Sequence, residues 1–288
     1  MNSSGLSSRR TEQSNPGGEK RLIGIIGGSG LCTIPQLERA QRIDVDTSHG
    51  KPSAPVSLFE QGSVSVAFIP RHGYDHTIPP HRVPYKANLA ALKAMGVCHV
   101  LATCVVGSLR EEIGPGDFVV PDQFINLTWG RDDTFDVDRR LVHLPMAYPY
   151  CSSIRQAVTK ELSSLGLTVH SSGCVVVIQG PRFATMAESK LFAQWGGDIV
   201  NMTQYPECYF ARELGICYGA VASVTDYDVG VPSAISMQPG SMDRVLEAFH
   251  TNTRQTNELI ERFLAIAPNI LSCSCAQRGV EPYFWQGT

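Results

Sequence analysis

The chain has 288 residues, of which 43% are hydrophobic and 18% charged, a composition typical of globular proteins. The 24 basic residues nearly balance the 27 acidic ones, which argues against a nucleic-acid-binding or anionic membrane-binding surface. No apolar run reaches the roughly 20 residues of a membrane span, so we expect neither a nucleic-acid nor a membrane partner.

The ends of the chain differ from its middle. Residues 1–20 are polar and lack the apolar stretch of a signal peptide, so they are predicted to be a disordered leader. We expect one domain over residues 21–270, followed by a tail at 271–288. This length is within the range of a single large α/β domain.

Nine cysteines, an odd number lying mostly in apolar runs, indicate reduced thiols and a cytoplasmic location, with the nucleus as an alternative. Cys273 and Cys275 form a C-x-C motif in the tail. Two interpretations stay open for this motif: a redox-active pair, or two thiols without a function.

Segments with strand and helix patterns alternate along the chain, which predicts a mixed α/β sheet covered by helices. Glycine and proline punctuate these segments at the expected ends. After a first strand in "IGIIG", we predict strands at 64–70, 98–106, 118–125, 174–180, 198–202 and 216–228, and helices at 84–96, 185–197, 206–215 and 241–267.

A glycine-rich turn follows the first strand in "IGIIGGSGL", residues 23–31. Gly28 and Gly30 begin a dinucleotide fingerprint, but Thr33 occupies the third glycine position, which argues against an NAD-dependent enzyme. A nucleoside-triphosphate loop would need a lysine that is absent here. The backbone N–H groups and the Ser29 hydroxyl could still bind one phosphate, although many such turns are purely structural.

Arg71 and His72 follow the strand at 64–70, and an arginine beside a histidine offers further hydrogen-bond donors to a phosphate. Ligands of open α/β sheets gather beyond the carboxyl ends of the strands. We therefore expect these two residues to lie near the glycine-rich turn. Together the three groups favour inorganic phosphate or one phosphoryl group over a pair of unrelated surface residues.

Asp226 and Asp228 end the strand at 216–228 in "TDYD". Alternate residues of a strand share a face, so the two carboxyl groups are predicted to point the same way. Like charges in a partly buried site raise a pKa, and a protonated carboxyl can assist a heterocyclic leaving group. The alternative is an ordinary turn or helix cap, and the phosphate site at the same sheet edge favours the catalytic interpretation.

Several of these stretches resemble the 5′-methylthioadenosine phosphorylase branch of the purine nucleoside phosphorylases. They include "IGIIGGSGL", "PRHGYDHTIPPHRVPYKANLAALKAMG", "IQGPRFATMAES", "WGGDIVNMTQYPE" and "ARELGICYGAVASVTDYD". The resemblance runs from about residue 21 to 270, in matching order. It implies a single α/β domain with a mixed, partly closed sheet, a homotrimer, and no metal or organic cofactor.

The resemblance also implies a set of phosphate contacts. Ser29, Arg71, His72 and Thr203 match positions that contact phosphate in the family. Cys104 stands where the family usually has a phosphate-binding threonine. A thiol is a weak hydrogen-bond donor, so we expect a lower affinity for phosphate unless backbone N–H groups compensate.

The nucleoside would be bound by the next set of matching positions. Val105 lies beside the purine, Phe183 packs on it, and Met202 lies under the ribose. Asp226 matches the acid that shares its proton with purine N7. Asp228 matches its partner at N7 and the 6-amino group.

Other matching positions concern the 5′ end of the substrate. His143 corresponds to a residue that a neighbouring subunit contributes, while Met242 and Val245 lie near the apolar 5′-methylthio pocket. Two departures affect substrate preference: Ala184 replaces a serine of close relatives, and the loop at 229–241 is longer than usual.

The implied reaction is attack of inorganic phosphate, the co-substrate, on 5′-methylthioadenosine. It gives adenine and 5-methylthioribose 1-phosphate, and it belongs to purine and methionine salvage. A phosphorylase for 6-oxopurine nucleosides or methylthioinosine remains an alternative, although such enzymes usually carry asparagine at the position of Asp226. A non-catalytic nucleoside-binding protein is a third hypothesis, favoured only by Cys104.

Overall fold

A computed structural model describes residues 21–28, 30, 35–135, 142–233, 241–270, 273 and 283–284. The expected leader at 1–20, most of the expected tail, Ser29 and Cys275 lie outside these ranges. Within the described residues, no helix is long and apolar enough to cross a membrane.

Strands and helices alternate along the described chain, as the sequence predicts. The strands are β1 (Arg21–Gly27), β2 (Gln41–Ile43), β3 (Val56–Gln61), β4 (Val64–Pro70), β5 (His99–Ser108), β6 (Phe118–Val119), β7 (Gln123–Leu127), β8 (Val142–His143), β9 (Val169–His170), β10 (Cys174–Ile178), β11 (Ile199–Asn201), β12 (Cys217–Tyr227) and β13 (Tyr283–Phe284). The helices are α1 (Tyr85–Ala94), α2 (Ser152–Ser164), α3 (Met186–Gln194), α4 (Gln204–Glu213) and α5 (Ser241–Ile270).

Strand β5 is the centre of a mixed sheet. Its first half lies between β1 and β12, and both neighbours run parallel to it. Its last two residues pair with β11, which runs antiparallel to β5 and parallel to β10. The sheet therefore branches at β5. One path runs β2-β3-β4-β1-β5-β11-β10-β7, and the other continues from β5 through β12 and β6 to β9. The predicted mixed α/β fold is confirmed.

Helices cover both faces of the central strands. In β5, eight of the ten residues are buried, which explains its continuous apolar run. Side chains alternate between the two faces of β1, so Ile23 and Ile25 lie in one apolar cluster and Ile26 lies in another. Helices α2 and α5 pack on the side of Ile23 and Ile25, while α1 and α4 supply the cluster that contains Ile26.

Helix α2 and strands β2 and β3 have no counterpart among the predicted elements, and one predicted strand is divided. Residues 118–125 were expected to form one strand but form two short ones, β6 and β7, separated at Pro121. Proline cannot donate a backbone hydrogen bond to a sheet ladder, so the strand ends there. The chain then changes partners, because β6 pairs with β12 whereas β7 pairs with β10.

Candidate active site

The glycine-rich turn and Arg71 meet at one residue of β5. The backbone N–H of Gly28 donates to Thr103 Oγ1 at 3.0 Å, and Arg71 Nη1 donates to the Thr103 carbonyl at 2.8 Å. A Cβ atom on Gly28 would collide with that carbonyl, so this close approach requires glycine. The ends of β1 and β4 therefore converge on the middle of β5, as the sequence predicts for the turn and Arg71.

Arg71 is fixed by a buried carboxylate. Its Nε and Nη2 groups donate to Glu207 at 2.6 and 2.7 Å, and the side chains are 1% and 0% exposed. Burial opposes the charge of Arg71, but Glu207 outweighs it and raises the pKa of Arg71. With the bond to Thr103, three of the five guanidinium N–H groups bind described protein atoms. The other two are suited to an anion.

Cys104 lies next to this arginine and is buried. Its Sγ is 3.6 Å from Gln204 Nε2 and 3.7 Å from the Val221 carbonyl, which are weak contacts. Burial raises the pKa of Cys104 to about 11, so the thiol is neutral near pH 7. Cys104 thus places no negative charge beside a bound phosphate.

A polar turn brings Thr203 to the same place. Asn201 Oδ1 accepts the backbone N–H groups of Thr203 and Gln204, at 3.3 and 3.4 Å. Thr203 is buried, and Gln204 contacts Cys104. A small cavity lies on the neighbouring surface of β5. It is lined by Gly30, Thr103, Cys104, Val105, Ser223, Thr253 and Thr256.

His72 follows Arg71 and is largely buried. Its Nδ1 is 2.8 Å from the Ile78 carbonyl, which can only accept a hydrogen bond, so Nδ1 carries the proton. Burial, assisted by the charge of Arg71, lowers the pKa of His72 to about 4. The neutral ring then presents a lone pair at Nε2. The donor expected from the sequence exists only when the ring is protonated.

Asp226 lies near the end of β12 and Asp228 directly follows the strand, and both have raised pKa values. For Asp226 the main cause is burial; a hydrogen bond from Thr225 opposes the shift, and the charge of Asp228 adds to it. For Asp228 the main cause is also burial, with Ser189 opposing and Glu188 adding. Like-charge repulsion, which the sequence suggested, is therefore the smaller contribution. Asp228 Oδ2 has no hydrogen-bond partner among the described residues.

The two parts of the site lie along one strand. Arg71 meets β5 at Thr103, whereas Asp226 is paired with Gly107. Four residues of a strand span about 13 Å, which leaves room for a sugar between an anion and a base. The rule used in the sequence analysis, that ligands lie beyond the carboxyl ends of the strands, predicts that all these residues lie at one edge of the sheet. Instead, β11 runs antiparallel to β5 and returns Thr203 to the level of Cys104.

The other predicted nucleoside-binding and specificity residues range from buried to exposed. Met202 lies against Gly180, whose φ of +63° suits glycine, so the loop after β10 contacts the end of β11. Val105 lines the cavity on β5. Phe183 is 80% exposed. Ala184 is partly buried against the apolar cluster of Leu109 and its neighbours.

The predicted 5′ contacts are less fully described. His143 is exposed on β8, which pairs with β13. The side chains of Met242 and Val245 lie outside the described residues, although their backbone belongs to α5. Residues 229–233 of the expected loop are described, and the rest of it up to α5 is not.

Sequence reasoning missed the residues that hold the predicted ones in place. The position of Glu207 in the sequence indicates that it is buried, because it shares a helix face with the apolar residues Phe210 and Ala211. A lone acid on an apolar helix face requires a buried partner. The other missed residues hold backbone or side chains by hydrogen bonds: Thr103, Ser189, Asn201 and Gln204.

Comparison with known proteins identifies the family. The profile of the phosphorylase superfamily matches residues 22–265. The S-methyl-5′-thioadenosine phosphorylase of Nitrosopumilus maritimus is 41% identical over 262 residues, which are 91% of this chain and 98% of that protein. The enzyme of the same name from Mycolicibacterium smegmatis is 48% identical over 229 residues, 79% and 83% of the two chains. This chain belongs to the S-methyl-5′-thioadenosine phosphorylase family. The resemblance seen in the sequence is confirmed, and so is the class, a pentosyltransferase.

Solved structures of the family have the same fold. Methylthioadenosine phosphorylase from Schistosoma mansoni in complex with tubercidin has a TM-score of 0.80 and 38% identity, covering 87% of this chain and 93% of its own. An enzyme of that family from an antarctic soil metagenomic library has a TM-score of 0.84 and 34% identity, covering 91% and 92%. The expected nucleoside phosphorylase type of fold is thereby confirmed.

Proposed function

We propose that this protein cleaves 5′-methylthioadenosine with inorganic phosphate, giving adenine and 5-methylthioribose 1-phosphate for purine and methionine salvage. One observation carries the proposal: a buried arginine and two partly buried carboxyl groups lie at successive levels of β5. The names of the relatives support the same substrate. We expect the reaction to use inorganic phosphate as co-substrate and to need no metal or organic cofactor.

Phosphate binds at the Arg71 end of the site. The two remaining N–H groups of Arg71 fork onto two phosphate oxygens, and Ser29, His72 and Thr203 add contacts. The bound phosphate attacks the anomeric carbon as the glycosidic bond stretches, and its negative charge stabilises the oxocarbenium-like sugar. Cys104 contributes little as a donor, so the backbone N–H groups of the turn carry more of the binding.

The base leaves at the Asp226 end. Adenine is a poor anionic leaving group, so a protonated Asp226 donates to N7 and neutralises the developing charge. Asp228 accepts a hydrogen bond from the 6-amino group. A 6-oxopurine would place an oxygen against that carboxylate, which disfavours inosine. Three residues hold the nucleoside between the two ends: Val105, Phe183 and Met202.

We further propose that three copies of the chain form the working enzyme. Phe183 is 80% exposed, and three other large aromatic side chains are more than half exposed: Trp129, Tyr148 and Trp195. Exposed apolar groups of this size typify subunit interfaces. In a homotrimer, His143 reaches the ribose and 5′ pocket of the neighbour, beside Met242 and Val245. We propose a cytoplasmic location, with the nucleus as an alternative, because the nine cysteines are odd in number and lie mostly in apolar runs, as is typical of reduced thiols.

The product identifies the reaction. The full-length protein is incubated with 5′-methylthioadenosine and phosphate, and the sugar product is analysed by mass and phosphorus NMR. A sugar 1-phosphate supports the proposal, whereas free methylthioribose would indicate hydrolysis and would leave the phosphate site without its function. Light scattering of the same sample measures the subunit number independently.

A further inference from the structure

Three cysteine side chains from distant parts of the chain meet in one place. Cys151 directly precedes α2, Cys217 is the first residue of β12, and Cys273 follows α5. Their Sγ atoms all lie within 4.8 Å of one another. Cys151 and Cys217 are 2% and 3% exposed, and Cys273 is partly exposed, so one side of the cluster is accessible.

One of the sulfur–sulfur distances in the cluster is close to that between two zinc ligands. The Sγ atoms of Cys151 and Cys273 are 3.6 Å apart. With Zn–S bonds of about 2.3 Å, two sulfurs of a tetrahedral zinc site are about 3.8 Å apart. A disulfide bond requires about 2.05 Å. The observed distance is therefore close to the edge of a metal tetrahedron.

The position of Cys273 is held by neighbouring hydrogen bonds. Its carbonyl accepts a hydrogen bond from His99 Nε2 at 3.0 Å, which does not depend on the protonation of the cysteines. The Cys217 thiol also donates to this carbonyl at 3.5 Å, a bond that is given up when the thiol is deprotonated. His99 and Cys217 are paired in register on β5 and β12, and His99 is buried. Cys273 is thus oriented by the sheet itself, which reduces the entropy that a ligand would have to overcome.

The cluster is separate from the catalytic site. Cys217 begins β12, while Asp226 lies near the other end of the strand. Nine residues of strand span about 30 Å. Four residues of strand, about 13 Å, separate Cys217 from Val221, which pairs with Thr103 at the phosphate end. The cysteines therefore lie farther from the base than from the phosphate, and metal binding to them can be measured without turnover.

We propose that Cys151, Cys217 and Cys273 bind one thiophilic metal ion, Zn²⁺, as three thiolates. The ion joins the segment after α5 to α2 and β12, and water or a further side chain completes the tetrahedron. Each thiol releases its proton to solvent on binding, and no electron transfer is involved. The site is structural, so its ion stabilises the folded chain.

Titration of the full-length, metal-free protein with Cd²⁺ tests the proposal, because cadmium–thiolate bonds add an ultraviolet charge-transfer band that appears in the difference spectrum against the metal-free protein. The wild type should give a band that saturates at one equivalent, and Zn²⁺ should raise its melting temperature. Both effects should be lost in C217S and C273S. The matched control is C98S, which removes an exposed cysteine and should leave both unchanged.

A measurement on the wild type guards against variants that fail to fold. One equivalent of Zn²⁺ should protect Cys273, the partly exposed thiol of the cluster, from alkylation, and peptide mapping should place the protection at that position. Protection of cysteines outside the cluster, or a cadmium band that persists in C217S, would overturn the proposal. The proposal would also be overturned if the protein bound no metal and if treatment with glutathione disulfide instead converted two of the cluster thiols into a disulfide bond.

Discussion

Glu207 accepts two hydrogen bonds from Arg71, at 2.6 and 2.7 Å, and neither side chain is exposed by more than 1%. Tyr218 donates a third hydrogen bond to the same carboxylate at 2.7 Å. The guanidinium plane is therefore fixed before any phosphate arrives. Such preorganisation reduces the cost of binding the anion and directs the remaining N–H groups toward it.

Replacing Glu207 by glutamine should uncouple this pair. Removing one partner of a buried ion pair costs about 3–5 kcal/mol, because the other charge remains buried. We therefore expect Glu207→Gln to lower the free energy of unfolding by that amount and to raise the KM for phosphate. Denaturant unfolding and initial rates measure the two effects.

Glu258→Gln is the matched control. Glu258 pairs with Arg262 one helical turn away, and both are exposed. Exposed helix pairs of this kind contribute about 0.3–0.5 kcal/mol. A similar loss of stability in the two variants would contradict the assigned role of Glu207.

Cys104 offers a test of the missing phosphate donor. A hydroxyl donates more strongly than a thiol, and a hydrogen bond to a charged group is worth about 1.5–3 kcal/mol. We expect Cys104→Ser to lower the KM for phosphate by about tenfold or more, as 1.4 kcal/mol corresponds to a factor of ten. Cys104→Ala should leave that KM nearly unchanged. A large rise in the alanine variant would show that the thiol already binds phosphate.

Asp226→Asn removes the proposed acid. Loss of general acid assistance should reduce kcat with 5′-methylthioadenosine by about 10²–10⁴. In the wild type, kcat should fall as pH rises through the raised pKa of Asp226, because the proton is then lost. The variant should not show this decline. If kcat of Asp226→Asn declined with rising pH as it does in the wild type, the titrating group would be a residue other than Asp226.

Asp226→Asn, which should lower kcat, should raise the stability of the folded protein. Burial raises the folded-state pKa of Asp226 above its unfolded value, so ionisation costs folding free energy at pH values above the folded pKa. Asp226→Asn should therefore be more stable than the wild type at neutral pH, and this gain should vanish in acid. Thermal unfolding at the two extremes measures the difference. Equal gains at both would contradict the assigned pKa shift.

His72 should link phosphate binding to proton uptake. Its ring is neutral near pH 7, with Nδ1–H held by the Ile78 carbonyl and a lone pair at Nε2. A phosphate dianion favours the protonated ring, so its binding should take up a proton at His72. Calorimetry in buffers of different ionisation enthalpy should detect this uptake in the wild type and its reduction in His72→Gln. Equal uptake in both proteins would exclude His72 as the acceptor.

Much of the fold could be predicted from periodicity and punctuation. The strand at 64–70 and the helix at 241–267 nearly match β4 and α5, because their residues carry clear alternation or amphipathic spacing. The division at Pro121 was missed, although proline in a strand signals one. The branching of the sheet at β5 depends on long-range pairing, which local patterns do not encode.

The site was predictable where a residue carries chemistry and unpredictable where a residue supports another. Arg71 and the aspartates follow strands and have charges that indicate a role. Ser189 does not, because a serine in a helix has many uses; the structure shows it accepting the Gly230 N–H at 3.0 Å. The antiparallel direction of β11, which returns Thr203 to Cys104, could be derived only from the folded chain.

Base release by the full-length enzyme tests the central claim most directly. Adenine formation from 5′-methylthioadenosine is measured with and without inorganic phosphate, beside hypoxanthine formation from inosine. Our account predicts phosphate-dependent release of adenine, with inosine much slower, and a loss of adenine release in Asp226→Asn. Faster turnover of inosine by the wild type, or adenine release that does not require phosphate, would contradict it.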